Sequence, residues 1–435
     1  MNIEVFPQDL LKGSLLLPAS KSYSVRAFMI ASCGGKSRII NPSTCDDALA
    51  AIAVARQLGA VIKEKNAHWE VIARQGKFNR GVIDVKESGT VLRMLLPLVA
   101  LHNETRTVTG QGTLRGRPNH HLIQTLQKLG VNVSGHGENH SIPIKFKGGA
   151  LRGGEIRIEG SLSSQFVSAL LIACPQLLQD SIIKVMGRKI VSTDYILMTL
   201  QMLDRVGIDV RRKGFREYRI RGGQQFKGLS SFHVPSDYGL AAFMMAAAAL
   251  TTSKVVLKGE LSDDLIQADG HIFSILNRMG VVFQKTSRRI TMKGPFQLRG
   301  GEFSLKDCPD LLPILSVLAL FADKPSKFYH VAHARSKESD RISDLRHELL
   351  KIAAKIEEGR DFLKVYPLKE TECKHGKFLN PHKDHRLAMA FTVLGLKIGT
   401  KVKDVECVAK SYPDFFHALA SLGVKIKNIS SFYRK

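Results

Sequence analysis

The chain has 435 residues, with 64 Lys and Arg against 39 Asp and Glu, a formal net charge of +25. Its 44% hydrophobic content excludes a disordered chain, and its length excludes a single small core, so two large domains are expected. The basic excess asks for an anionic partner: nucleic acid, anionic lipid or a small phosphorylated substrate.

The N-terminal stretch Met1–Leu10 (MNIEVFPQDL) has neither the basic n-region nor the apolar h-region of a signal peptide, which points to the cytoplasm. Further on, Pro18–Ala27 (PASKSYSVRA) opens an apolar window over Lys21–Cys33, and LGAVI follows at Leu58–Ile62. The same succession then returns. Glu87–Arg93 (ESGTVLR) opens Ser88–Leu101 before LGVNV at Leu129–Val133, and Ser161–Phe166 (SLSSQF) opens Ser161–Cys174 before VGIDV at Val206–Val210. Ser236–Leu250 precedes MGVVF at Met279–Phe283. Asp307–Phe321 precedes a degenerate IAAKI at Ile352–Ile356. His382–Arg386 (HKDHR) opens Lys383–Leu396 before LGVKI at Leu422–Ile426.

The short phrase reads as a helix end, a glycine in the left-handed C′ position and a strand of period two. Its glycine-equivalent positions, 59, 130, 207, 280, 353 and 423, are spaced by 71, 77, 73, 73 and 70 residues, with Ala353 in place of one glycine. Six near-even units of about 72 residues predict an α/β repeat protein and exceed the usual solenoid period of roughly 20–50. Two bundles of three units follow from a cut near Ser231–Ser236. The windows opened by polar clusters are apolar nearly all round and predict helices buried inside each domain; the more charged helices ahead of each glycine lie outside. The longest apolar runs, Leu240–Leu250 and Leu311–Ala322, are 11 and 12 residues, too short to span a bilayer. Six scattered cysteines with no CxxC pair predict reduced, mostly structural thiols and argue against a zinc site.

Helix N-termini offer unpaired N–H groups and the positive end of the macrodipole, so several converging ones form an anion trap. Capping explains any single Ser or Asp cluster equally well. The cations Lys21, Arg26, Arg93 and Arg386 in first turns argue for more, because a cation there needs a compensating anion. Ala334–Arg346 (ARSKESDRISDLR) holds seven charges in thirteen residues and reads alone as a solvated face; Asp310 reads alone as a cap and Lys410 as a surface lysine.

Together these phrases resemble the enolpyruvyl transferase family over Lys12–Leu422, most closely the branch whose acceptor is shikimate 3-phosphate. The motifs are SKSxSxR at Ser20–Arg26, GTxxR at Gly89–Arg93, RP at Arg117–Pro118, SSQF at Ser163–Phe166, KESDR at Lys337–Arg341, DHRxAM at Asp384–Met389 and KSYPDFF at Lys410–Phe416. The resemblance implies an inside-out α/β barrel of six βαβαββ repeats, three per domain. One domain is residues 1–17 and 234–435, the other 18–233, with the active site in the cleft between them. It implies attack of the 5-hydroxyl on C2 of phosphoenolpyruvate, protonation of C3, and loss of phosphate from a tetrahedral intermediate. No metal or organic cofactor is implied, and the partners are the two small substrates, with no nucleic acid, no membrane and a monomeric enzyme.

Carried over residue by residue, the resemblance assigns shikimate 3-phosphate to Lys21, Ser22, Arg26, Ser163, Ser164, Gln165, Ser192, Asp310, His333 and Lys337, with Tyr195 near the sugar ring. It assigns phosphoenolpyruvate to Lys21, Gly89, Arg117, Gln165, Arg341, Arg386 and Lys410, a set whose cations match a phosphate plus a carboxylate. Asp310 resembles the base for the 5-hydroxyl, and Glu338 and Lys21 the groups handling the other protons. Gly89 and Thr90 resemble the glyphosate-sensitive pattern. Val25, His333, Glu87 and Thr193–Asp194 depart from the family's usual residues.

Two rivals stay in view. A UDP-N-acetylglucosamine enolpyruvyl transferase shares the fold, but the resemblance would then call for Asn after Lys21 and a cysteine within Gly112–Pro118 (GTLRGRP), and neither is present. A nucleic-acid-binding repeat protein would interleave aromatics with basic residues; only 7% of residues are aromatic, and Arg211–Arg221 (RRKGFREYRIR) reads as solvated strands and a turn.

Overall fold

The computed structural model describes residues 1–66, 68–74 and 81–429. The fold is mixed α/β. The chain divides into two compact units, Ala19–Val234 and the discontinuous Met1–Pro18 with Pro235–Lys435.

Within Ala19–Val234, the helices are α1 (Lys21–Ala31), α2 (Asp46–Gln57), α3 (Gly89–Val99), α4 (His120–Lys128), α5 (Ser164–Ala173) and α6 (Thr193–Arg205). The strands form four-stranded sheets with one recurring plan, a parallel pair followed by two antiparallel pairings. One sheet runs Gly154–Glu159, Ser181–Met186, Glu217–Ile220, Val210–Lys213. A second runs Val82–Asp84, Thr105–Thr109, Ser141–Lys147, Val133–His136. A third borrows its outer strand, Phe232–His233, from the far end of the unit and pairs it with Lys36–Ile40. Alternation sets the facing: Ile156 and Ile158 are buried while Glu155 and Arg157 are exposed.

The discontinuous unit holds α7 (Tyr238–Leu250), α8 (His271–Arg278), α9 (Leu312–Ala319), α10 (Arg341–Leu350), α11 (His385–Ile398) and α12 (Phe415–Ser421). Its sheets follow the same plan. The N-terminal strands are shared out between two of them: Leu10–Leu16 runs parallel to Thr252–Lys258, and Asn2–Val5 lies between Thr400–Val402 and Ile426–Ile429. The two ends of the sequence are thereby tied into one unit.

The apolar windows are inner helices. All thirteen residues of α7 are buried, as are all of α9 and all of α11 except Lys397. Helices this apolar have no solvent face to offer and pack on one another. Polar residues cap most of them at the N-terminus. Ser20, Ser88, Ser163, Asp237 and Asp384 each accept a bond from a backbone N–H of the first turn. Asp310 differs from the expectation of a helix start: it lies in a 3-10 turn, Pro309–Leu311, ahead of α9. The charged helices are half-buried, with Leu122, Ile123 and Leu126 inward on α4, for example.

Every glycine-equivalent position has positive φ: Gly59 94°, Gly130 93°, Gly207 80°, Gly280 87°, Gly423 99°, and Ala353 66°. The Arg211–Arg221 stretch is a hairpin whose arginines are exposed, as expected. Cys33, Cys45, Cys174 and Cys308 are buried, and burial pushes the Cys33 and Cys174 thiols up to about 12. No described helix is long and apolar enough to cross a membrane. Among the described residues no His, Cys, Asp and Glu group is arranged to hold a metal ion.

Candidate active site

In the Ala19–Val234 unit, α1 presents Lys21 on its first residue, 3.1 Å from the buried Asp47 at the start of α2. Arg26 lies one turn deeper and is fully buried. Its Nε donates to Thr199 Oγ1 at 2.9 Å, Nη1 to the Ser22 carbonyl at 2.9 Å and Nη2 to the Tyr195 carbonyl at 3.0 Å. The Tyr195 ring centroid is 5.7 Å from its Cζ. Burial pulls the Arg26 guanidinium down to about 10, so it keeps its charge at neutral pH. Ser192, just ahead of α6, is buried with a left-handed φ of 56°.

Gln165 and Ser163 open α5 beside α3. Arg93 Nη1 donates to Gln165 Oε1 at 2.7 Å, and Gln165 Nε2 donates to Thr90 Oγ1 at 2.9 Å. Ser164 is buried at the first position of α5. The Arg93 fork also donates to Asn119 Oδ1 at 3.4 Å and to the Pro118 carbonyl at 3.1 Å. The adjoining Arg117 is buried against Gly89, where a Cβ would lie 2.5 Å from Nη1.

The discontinuous unit holds a tighter constellation. Arg341, first residue of α10, is 1% exposed and is the hub. Its Nε and Nη2 grip Asp384 at 2.7 and 3.2 Å, Nη1 donates to Asp310 Oδ1 at 2.7 Å, and Nη2 donates to Glu338 at 2.9 Å. Burial opposes the charge, but Asp384, Asp310 and Glu338 outweigh it and hold the guanidinium well above its ordinary value. The solvated face expected for Ala334–Arg346 is therefore wrong at Arg341, where three carboxylates replace water. Asp310 also meets Lys337 at 3.2 Å and Arg386 Nη2 at 3.1 Å, so three cations converge on one carboxylate. Lys410, which alone reads as a surface lysine, is 4% exposed at the end of the 3-10 stretch Val405–Lys410.

His333 lies in the 3-10 turn Ala332–Ser336 with its Nε2 buried and without a hydrogen-bond partner. Burial, then Lys337, pulls its imidazole down to about 3, so the ring is neutral. A neutral ring still carries one N–H, which suits a hydroxyl better than a phosphate.

Sequence reasoning missed three contributors. Asp47 answers Lys21, Thr199 answers Arg26, and Asp269 lies 3.3 Å from Arg386 Nη2. None carries a local signature; each is read only through the helix packed against it.

Comparisons with known proteins bear on this geometry. The family model described as EPSP synthase (3-phosphoshikimate 1-carboxyvinyltransferase) matches residues 5–419. A 3-phosphoshikimate 1-carboxyvinyltransferase of Methanosarcina acetivorans is 35% identical over 430 residues, 97% of each chain. Another from Korarchaeum cryptofilum is 36% identical over 430 residues, 98% of this chain and 99% of its own. Among solved structures, an EPSP synthase from Acinetobacter baumannii superposes with a TM-score of 0.78 at 24% identity, covering 98% of this chain and 99% of that one. The enolpyruvyl transferase NikO from Streptomyces tendae gives 0.76 at 18% identity, covering 98% of each. At these identities the two structures speak to the fold.

Proposed function

The chain belongs to the EPSP synthase (3-phosphoshikimate 1-carboxyvinyltransferase) family, and from that premise we propose which of its residues carry the reaction. It transfers the enolpyruvyl group of phosphoenolpyruvate to the 5-hydroxyl of shikimate 3-phosphate and releases phosphate. Asp310 takes the 5-hydroxyl proton as the oxygen attacks C2. Glu338 and Lys21 handle the proton delivered to C3 and the one that leaves with phosphate. Arg341, Arg386 and Lys410, with Lys21, Gly89, Arg117 and Gln165, receive the carboxylate and phosphate of phosphoenolpyruvate. Ser22, Arg26, Ser163, Ser164, Ser192, His333 and Lys337 receive the acceptor sugar.

One observation carries this assignment: Asp310 lies where Lys337, Arg341 and Arg386 converge, within 2.7–3.2 Å of each. A base beside the acceptor hydroxyl must also lie beside the cations that steady the charge developing on the donor. Addition and elimination need only proton transfer and electrostatic stabilisation, which these side chains supply.

The six sheets of recurring plan among the described residues support six βαβαββ copies, three to a domain, as two inside-out barrels whose residues act on one substrate pair. The enzyme works as a cytoplasmic monomer without nucleic acid, its surplus basic residues being solvated as in the Arg211–Arg221 hairpin.

A coupled phosphate-release assay with both substrates tests the reading. Phosphate is expected only when both are present, and Asp310→Asn should lower kcat by roughly 100-fold or more. Turnover with UDP-N-acetylglucosamine in place of shikimate 3-phosphate would move the chain to the sister activity. Full turnover by the Asn variant would remove Asp310 from the chemistry.

A further inference from the structure

The proposed chemistry gives no part to two carboxylates of the buried cluster, Asp384, which Arg341 grips, and Asp269. Asp269 lies in the 3-10 turn Ala268–Gly270, is 7% exposed, and places Oδ2 3.3 Å from Arg386 Nη2, the same nitrogen that Asp310 Oδ2 approaches at 3.1 Å. Its Oδ1 is buried with no hydrogen-bond partner. The first turn of α7 closes over it so tightly that a Cβ at Gly239 would sit 2.1 Å from Oδ2. Water therefore has little room to solvate an ionised Asp269.

The charge balance is equally telling. Asp269, Asp310, Glu338 and Asp384 are held by ion pairs to Lys337, Arg341 and Arg386, and Asp269 shares its cation, Arg386, with Asp310. Phosphoenolpyruvate would add a carboxylate and a phosphate where two carboxylates, Asp269 and Asp310, already share Arg386. A buried carboxylate in that position must be compensated or neutralised.

We propose that Asp269 takes up a proton when phosphoenolpyruvate binds, so that Arg386 is released from a buried competitor and the cluster sheds one negative charge as the substrate brings its own. The inference rests on the reading that Arg386 receives phosphoenolpyruvate. The proton comes from solvent and forms one O–H bond on Asp269, with no other bond made or broken. Burial already pushes this carboxyl up to about 6, opposed by Arg386 and reinforced by Asp310 and by Asp237 at the cap of α7, with Lys337 pulling the other way. Asp269 is thus mainly ionised at neutral pH in the empty site. An arriving anion at Arg386 adds like charge and removes part of the opposing cation, and both effects favour the proton. By reciprocity, protonated Asp269 must favour the substrate by the same factor.

The test compares the KM for phosphoenolpyruvate, at saturating shikimate 3-phosphate, in the wild-type enzyme and Asp269→Asn from pH 5.5 to 8.5. The substrate's phosphate titrates near pH 6 in both enzymes and cancels in the ratio. KM of the wild type divided by KM of the variant should be near one at pH 5.5 and rise toward roughly tenfold at pH 8.5. Asp269→Ser, measured alongside, gives the same ratio if the amide upsets folding. A ratio that is constant, or that falls as pH rises, overturns the proposal; the latter would mean that the ionised carboxylate holds Arg386 in place. Arg386→Gln separates the two levels. If it leaves the KM for phosphoenolpyruvate unchanged, the binding assignment fails and this inference with it. If it raises that KM while the Asp269 ratio stays flat, only the proton uptake fails.

Discussion

The Arg117 guanidinium lies directly against Gly89, so that a methyl group added there would sit 2.5 Å from Nη1 and 2.8 Å from Cζ. The glycine is at the first position of α3, where it is not needed for backbone conformation: its φ is not positive. It is needed for space. Arg117 is 6% exposed, so it has no open solvent to retreat into.

Gly89→Ala should therefore displace Arg117, which we propose receives phosphoenolpyruvate, without harming the helix, because alanine is the better helix former. A displacement near 1 Å costs on the order of 10²-fold where the geometry is part of binding or catalysis. We expect the KM for phosphoenolpyruvate to rise about 10- to 100-fold, the KM for shikimate 3-phosphate to change little, and the melting temperature to hold. Steady-state kinetics with each substrate varied, together with a thermal melt, check this. An unchanged KM for phosphoenolpyruvate would show that Arg117 does not touch that substrate.

His333 makes a prediction about acid. Its folded value is depressed to about 3, by burial first and by Lys337, against 6.5 when exposed. The folded state thus excludes a proton that the unfolded chain accepts below pH 6.5. The contribution to stability is full above 6.5 and is lost as pH falls toward 3, by at most about 1.4 kcal/mol per pH unit. Denaturant melts of wild type and His333→Asn at pH 7.5 and 5 should show the variant losing less stability over that interval. The same neutrality predicts that the pH–rate profile between 6 and 8 keeps its shape in His333→Asn, while the KM for shikimate 3-phosphate shifts. Identical acid sensitivity of the two proteins would mean that the ring is protonated or exposed in the fold.

What the amino-acid order made legible was whatever repeats or stays local. The left-handed position after each charged helix recurs at six places, and the physics of a helix terminus is the same at each, so Gly59 and Gly423 announce the same turn. The caps were equally local, since Ser88 bonds Val91 three residues on. The motif residues Lys337, Glu338 and Arg341 lie within a single turn of chain and were read together. Asp269 was not legible, because what defines it is an arginine 117 residues away and a glycine on another helix. The same holds for Thr199, which meets Arg26 from 173 residues on, and for the pairing of Gln165 with Arg93, which it meets from 72 residues on. Lys410 misled for the opposite reason: its burial comes from the long-range packing of Val405–Lys410, which no local pattern records.

Ala353 is the exception among the six turn positions and gives the last prediction. Its φ of 66° places an L-residue with a Cβ in the conformation that the other five give to glycine. The left-handed region costs a residue with a Cβ roughly 1–2 kcal/mol, from the clash of Cβ with the following carbonyl oxygen. The turn forms nonetheless, because Ala353 N–H still reaches the Leu350 carbonyl at 3.0 Å and Ala354 N–H the Leu349 carbonyl at 3.2 Å, which closes the end of α10. Ala353→Gly removes the clash but adds conformational freedom to the unfolded chain, a loss of about 0.4–1 kcal/mol. The balance favours glycine by roughly 0.5–1 kcal/mol. Urea unfolding should show a higher midpoint with an unchanged slope. Because α10 carries Arg341 at its other end, three turns away from the substitution, kcat and both KM values should stay at their wild-type levels. A destabilised variant would mean that the Ala353 methyl group makes packing contacts worth more than the backbone strain it causes.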